Sequence, residues 1–181
     1  SLVNQSIIKK IINNVPIPVQ LGGGIRNFKT IEHLISVGVQ RIILGTIALS
    51  DPQLVKKACK YFPNKIAIGI DAKNSKVMVE GWIKKSKMSV FDLAKSFEDV
   101  GVSAIIYTDI SKDGMMLGPD INGTKKLLEY ISIPIIASGG VSSISDLKKL
   151  KKDCSKLNGI VCGRALYDKK INIDEAIRVL N

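Results

Sequence analysis

An apolar run, Ile66 to Ile70, stops at Asp71 and then breaks into Lys73-Asn74-Ser75. A carboxylate at the carboxyl end of a buried strand is placed where many α/β enzymes hold a catalytic group, because the strand is rigid and its end opens onto the ligand-binding loops. One such aspartate alone could equally cap a turn. Thr108 ends a second run, Ala104 to Tyr107. Its hydroxyl could hold a ring oxygen or orient Asp71, or it is an ordinary β-branched strand residue. A carboxyl group of this kind can move a proton when a second acid on an opposed strand takes the complementary role. Asp109 and Asp113 are nearby alternatives, although within Ser111-Lys112-Asp113-Gly114 the aspartate reads as a turn former. Trp82, the single tryptophan, lies in Glu80-Gly81-Trp82 outside any apolar run and could stack on a planar ring.

Four glycine turns leave apolar runs: Gly22-Gly23-Gly24, Gly45-Thr46, Gly139-Gly140 and Gly163-Arg164. Glycine lets the backbone approach an anion closely, exposed N–H groups point at it, and a following helix adds its positive end. Any one such turn is commonly no more than a tight connection. These four, however, form two pairs. Leu21-Gly22-Gly23-Gly24-Ile25 resembles Ala137-Ser138-Gly139-Gly140-Val141, 116 positions on, and Leu44-Gly45-Thr46 resembles Cys162-Gly163-Arg164, 118 positions on. A nearly constant offset argues for duplicated halves. The first cradle would use Gly24, Gly45 and Thr46, the second Gly140, Gly163 and Arg164. The expected ligand carries a phosphate at each end and spans the strands that end in Asp71 and Thr108.

The elements that must position these residues follow from periodicity and turn chemistry. Helical spacing covers Asn4 to Asn14, Lys29 to Val37 (closed by Gly38), Pro52 to Tyr61 (capped by Asp51), Ser89 to Val100, Asn122 to Tyr130, Ser143 to Lys152 and Ile173 to Leu180. Strands are expected at Val19 to Leu21, Arg41 to Leu44, Ile66 to Ile70, Ala104 to Thr108, Pro134 to Ala137 and Gly159 to Cys162. Lys76 to Trp82 reads as a small hairpin or an extended loop. Uninterrupted apolar strands alternating with helices belong to a parallel sheet buried on both faces. With the repeat, the expectation is a (β/α)8 TIM barrel as a single partial domain, residues 1–181, holding about six of the eight βα units. A complete barrel needs about 250 residues, and the repeat puts the mirror partner of Asp71 before residue 1, so the first two strands are expected to be missing.

Composition narrows the class. The chain has 181 residues, 45% of them hydrophobic, enough for a real core. No apolar run reaches membrane-helix length and no charged-then-apolar leader opens it, so a soluble cytoplasmic protein is expected. Cys59, Cys154 and Cys162 lack metal-ligand spacing, and His33 is the only histidine, which argues against Ser-His or Cys-His chemistry. The net charge of +11 comes largely from lysines on helix faces with no aromatic series between them. An anionic small molecule is therefore the expected partner, with no nucleic acid and no membrane. Walker A, GxGxxG and metal-cluster motifs are all missing.

The segments Gln20-Leu21-Gly22-Gly23-Gly24-Ile25-Arg26, Gly69-Ile70-Asp71-Ala72-Lys73, Glu80-Gly81-Trp82, Tyr107 through Gly114, Ala137-Ser138-Gly139-Gly140 and Gly163-Arg164-Ala165-Leu166 occur in an order and spacing that resembles the phosphoribosylformimino-5-aminoimidazole carboxamide ribotide isomerases of histidine biosynthesis. The resemblance covers essentially the whole chain. It implies a cofactor-free, metal-free barrel enzyme, expected to be monomeric, that converts the N-linked aminoaldose of a bisphosphorylated substrate to the aminoketose, an Amadori rearrangement. By the resemblance, Asp71 is the proton donor that opens the ribose ring and Thr108 assists it. Gly24, Gly45 and Thr46, with Gly140, Gly163 and Arg164, hold the two phosphates, and Trp82 is a substrate-stacking loop residue. The family's first catalytic aspartate, the base for the sugar C2′ proton, has no match, so a poor or inactive catalyst is expected of the chain. Two alternatives stand: the sister cyclase subunit of imidazole glycerol phosphate synthase, and a non-catalytic phosphate-binding barrel fragment. Glu80-Gly81-Trp82 and Tyr107-Thr108-Asp109-Ile110 favour the isomerase.

Overall fold

The computed structural model describes residues 5–73, 75–79, 81 and 84–181. Six parallel strands, β1 (Gln20–Gly22), β2 (Arg41–Leu44), β3 (Ile66–Lys73), β6 (Ala104–Asp109), β7 (Ile135–Ser138) and β8 (Gly159–Ile160), pair side by side in that order. An antiparallel hairpin, β4 (Lys76–Val79) and β5 (Lys84–Ser89), hangs from β3. Around the sheet run α1 (Gln5–Asn14), α2 (Phe28–Ser36), α3 (Thr46–Ser50), α4 (Pro52–Tyr61), α5 (Val90–Lys95), α6 (Ile121–Tyr130), α7 (Ile144–Asp153), α8 (Arg164–Tyr167) and α9 (Ile173–Leu180). Strand, helix and parallel neighbour in steady succession is the wall of a TIM-barrel-like α/β fold.

The strands are apolar on both faces because both faces are covered, but they are covered differently. Ile42, Leu44, Ile66, Ile68, Ile70, Ile105, Tyr107 and Ile135 join the cluster that includes the helix residues Ile31, Leu34, Val55, Leu93 and Leu127. The alternate positions, Ala67, Ala104, Ile106 and Ile136 with Ile43, form a separate inner cluster. Period-two alternation therefore assigns every strand residue to the helical shell or to the inner face.

The repeat is present in the backbone itself. Asn27 caps α2 at φ −152°, ψ 162°, and Ser143 caps α7 at φ −153°, ψ 164°. Ile31 and Leu34 bury the inner face of α2 just as Leu147 and Leu150 bury that of α7. Gly45 and Gly163 precede the short helices α3 and α8 at φ/ψ of −95°/−109° and −103°/−103°.

Several bounds differ from the sequence expectation. Strand β3 continues past Ile70 to Lys73, because β4 takes the place beside it that β2 vacates after Leu44. The helix expected over Ser89 to Val100 ends at Lys95: bonds from Phe97, Glu98 and Val100 to carbonyls three residues back tighten the chain into successive turns. Strand β8 pairs only through Gly159 and Ile160, although Val161 still donates to the Ala137 carbonyl at 2.8 Å. Trp82 lies outside the described residues. Among the described residues no helix is long and apolar enough to cross a membrane.

Candidate functional site

Asp71 and Thr108 are direct Cα partners in the β3–β6 ladder, and Thr108 is the partner of Ser138 on β7. In parallel strands, partners at one level point to the same face. The alternation that puts Ile70 and Tyr107 in the helical shell puts Asp71, Thr108 and Ser138 on the inner face, at the carboxyl ends of their strands. Thr108 is buried and Asp71 half-buried. On its other flank Asp71 pairs with Met78 of the hairpin, so its backbone is bound on both sides. Asp109, one residue on, is turned to the loop instead: its carboxylate accepts the Ser111 N–H at 3.0 Å and the Ser111 hydroxyl at 2.6 Å.

The glycine turns flank this row. β3 and β6 are the two central parallel strands, with β2 and β1 on one side and β7 and β8 on the other. Gly24 and Gly140 both have positive φ, +68° and +81°, a conformation that L side chains rarely adopt. Gly140, Gly163 and Arg164 line one cavity together with Ser138, Gly139 and Asp113. Gly45 and Thr46 lie at the N-terminus of α3, in the equivalent position of the first half.

Capping chemistry distinguishes α3 and α8 from six of the other helices. α2, α4, α5, α6, α7 and α9 each have a side-chain N-cap. No side chain caps α3 or α8. At α7 the first turn is already taken: Asp146 accepts from the N–H and the hydroxyl of Ser142, and from the N–H of Ser143. Burial pushes that carboxyl up, but the Ser142 and Ser143 hydrogen bonds outweigh it and hold it below the ordinary value. The first-turn N–H groups of α3 and α8 are thus not taken up by a capping side chain.

The two cradles are not equally covered. Residues 110–118 fold over the second, with Gly118 N–H donating to the Gly140 carbonyl at 2.9 Å. A Cβ on Gly140 would lie 2.4 Å from the Gly118 oxygen. At Gly23 and Gly24 such a Cβ meets no described atom within 4 Å. Arg164 directs its guanidinium sideways, Nη1 donating to the Gly114 carbonyl at 3.0 Å and Nε to Asp168 at 3.2 Å. Sequence reasoning missed Ser138, level with Thr108; its signal was an apolar run ending on a hydroxyl before Gly139. Among the described residues no group of three His, Cys, Asp or Glu side chains could hold a metal.

The histidine biosynthesis protein family model matches residues 1–172. The chain belongs to that family. It is 53% identical over 178 residues to the 1-(5-phosphoribosyl)-5-((5-phosphoribosylamino)methylideneamino)imidazole-4-carboxamide isomerase of Paramagnetospirillum magneticum, covering 98% of this chain and 74% of that protein. Relatives with the same activity in their names, from Ruegeria sp. strain TM1040 and Trichlorobacter lovleyi, are 52% and 53% identical over 178 and 175 residues. They are covered over 74% and 71% of their length, so the chain spans about three quarters of each family member compared.

Proposed function

We propose that this protein is an aldose–ketose isomerase of histidine biosynthesis, acting on the bis-phosphoribosyl imidazole carboxamide substrate for which its relatives are named. The observation that carries the reading is the row Asp71–Thr108 on the inner face of the two central strands, flanked on each side by a glycine turn and a side-chain-uncapped short helix. A substrate with a phosphate at each end, held by Gly24, Gly45 and Thr46 on one side and by Gly140, Gly163 and the main chain of Arg164 on the other, lies with its sugar over that row.

In the reaction, Asp71 gives its proton to the ribose ring oxygen as the C1′–O bond breaks, leaving an open-chain iminium. A base takes the C2′ proton to give the enaminol; protonation at C1′ with release of the C2′ hydroxyl proton gives the ketone, and the released proton restores Asp71. Hydrogen moves from C2′ to C1′ within one molecule, so no external oxidant or reductant is consumed. The Thr108 hydroxyl orients Asp71 or the ring oxygen. Trp82 supplies a stacking surface. We further read the six parallel strands as part of an eight-stranded barrel, and the protein as a soluble, cytoplasmic monomer that uses neither metal nor cofactor.

The test is turnover of the purified natural protein on the aminoaldose, with the aminoketose separated by chromatography. Conversion that disappears in Asp71→Asn supports the reading. Tight binding of the bisphosphate with no ketose formed by the unsubstituted protein would leave a phosphate-binding scaffold and overturn it.

A further inference from the structure

We infer that Arg164 is a positioning residue whose guanidinium holds the 110–118 loop over the second phosphate cradle, with Asp168 orienting it, rather than a direct contact to the anion. This deepens the proposed reading of that cradle as an anion site and rests on it for its relevance to binding.

The loop is long; Met116 packs against the cluster that holds Val141, Leu147 and Ala165, and the loop's other hydrogen bonds are local or near its base. Ile110 N–H donates to the Ala72 carbonyl at 3.0 Å, and Gly118 N–H to Gly140 at 2.9 Å. Lys112 Nζ reaches back to Pro119 at 3.1 Å. Within the loop, Lys112 and Asp113 donate to Asp109, and Met115 donates to Lys112. Gly114, at the tip, sits at φ +67°, and Met116 follows at +56°. The tip thus holds left-handed backbone at a non-glycine position, a conformation that surrounding contacts must maintain. Arg164 supplies such a contact, from a residue 50 positions away on α8.

A guanidinium is a planar fork, so it can grip a carbonyl and a carboxylate at once. Here Nη1 takes Gly114 and Nε takes Asp168, one turn along α8. The Gly114 bond joins two residues that line the same cavity as Gly163. Asp113, adjacent to Gly114, lines the cavity with Gly139, Gly140 and Gly163. Whatever fixes Gly114 therefore also fixes where a carboxylate stands beside a bound phosphate.

Substitution of Asp168 separates the two roles by sign. Asp168→Asn removes the negative charge that Arg164 Nε holds. If Arg164 served as an anion contact, that change would tighten inorganic phosphate binding. If Arg164 is a latch, losing its orienting carboxylate loosens the loop and weakens binding. We expect amide exchange of residues 113–117 in the ligand-free protein to speed up roughly three- to tenfold, the worth of one hydrogen bond, with phosphate affinity falling by a similar factor. Arg164→Lys, which keeps the charge but lacks the fork, should behave like Arg164→Met in the exchange measurement. Thermal melts of all three variants check that the fold is intact. Unchanged loop exchange in Asp168→Asn and Arg164→Lys, or tighter phosphate binding in Asp168→Asn, would overturn the latch. The exchange readout uses no substrate, so it stands or falls separately from isomerase activity. A loosened loop in a protein without isomerase activity would leave the latch intact and remove only the proposed reaction.

Discussion

Asp71 and Thr108 face each other across the β3–β6 ladder as direct partners, one on each of the two central strands. Their strand neighbours Ile70 and Tyr107 are also partners, on the opposite face and inside the helical shell. The same ladder step therefore serves packing on one side and the proposed chemistry on the other.

Replacing Asp71 by Asn keeps the side chain's size but removes the carboxyl group that could give up a proton. Turnover by the natural protein should fall by at least about 100-fold, the usual range for a lost general acid, while substrate affinity stays within about tenfold. Steady-state kinetics with a binding titration checks this. Asp109→Asn should retain activity, because that carboxylate is engaged by Ser111. The reverse pattern would reassign the acid.

Tyr107 and Thr108 provide a test of the two faces. Tyr107 donates its hydroxyl to Asp120 at 2.8 Å, and burial first, then that carboxylate, push its ionisation well above the ordinary range. Tyr107→Phe should cost about 1 kcal/mol of stability in a denaturant melt with kcat unchanged. Thr108→Val should do the opposite: kcat falls about tenfold or more with the melt little altered, and Thr108→Ser restores most of it.

Alanine at the two equivalent glycines should have unequal effects. Gly24→Ala meets strain from its positive φ but no described neighbour, and should cost on the order of 1 kcal/mol. Gly140→Ala adds a backbone clash with the Gly118 oxygen and should cost roughly twice that or more, unless the 110–118 loop moves away. Chemical denaturation measures the difference, and amide exchange of the loop shows which outcome relieves the clash.

Glu98 gives the protein part of its acid limb. The Lys95 hydrogen bond, then the Ser132 N–H and hydroxyl, hold its carboxyl at about 2 against an ordinary 4.5. A depressed folded value stabilises the fold above the unfolded value and loses that contribution as pH falls through the folded one. Glu98→Gln should therefore melt lower at pH 7, and the gap to the unsubstituted protein should close between about pH 4.5 and 2. A gap that persists at pH 2 would mean the glutamine disturbs packing instead.

The apolar strand runs were legible because both faces of each are buried, and Asp51 and Ser143 announced two helices by their side-chain caps. The glycine pairs were legible because the repeat restated them. α3 and α8 were not, since one helical turn carries no period. Nor was β5: Lys84 to Ser89 has no strand composition and is a strand only through its pairing with β4. The sideways course of the Arg164 guanidinium could not be read at all, because its carbonyl partner lies 50 residues away in a loop.

With a strand bonded along each flank, Met78 on one side and Thr108 on the other, the main chain at Asp71 has no room to swing. An acid anchored in this way cannot follow the sugar as it unfolds from ring to open chain. In the proposed reaction the travelling would fall to the substrate, pivoting on its two phosphate handles, and the pace of a turnover would then be set by how easily those handles turn in their sockets.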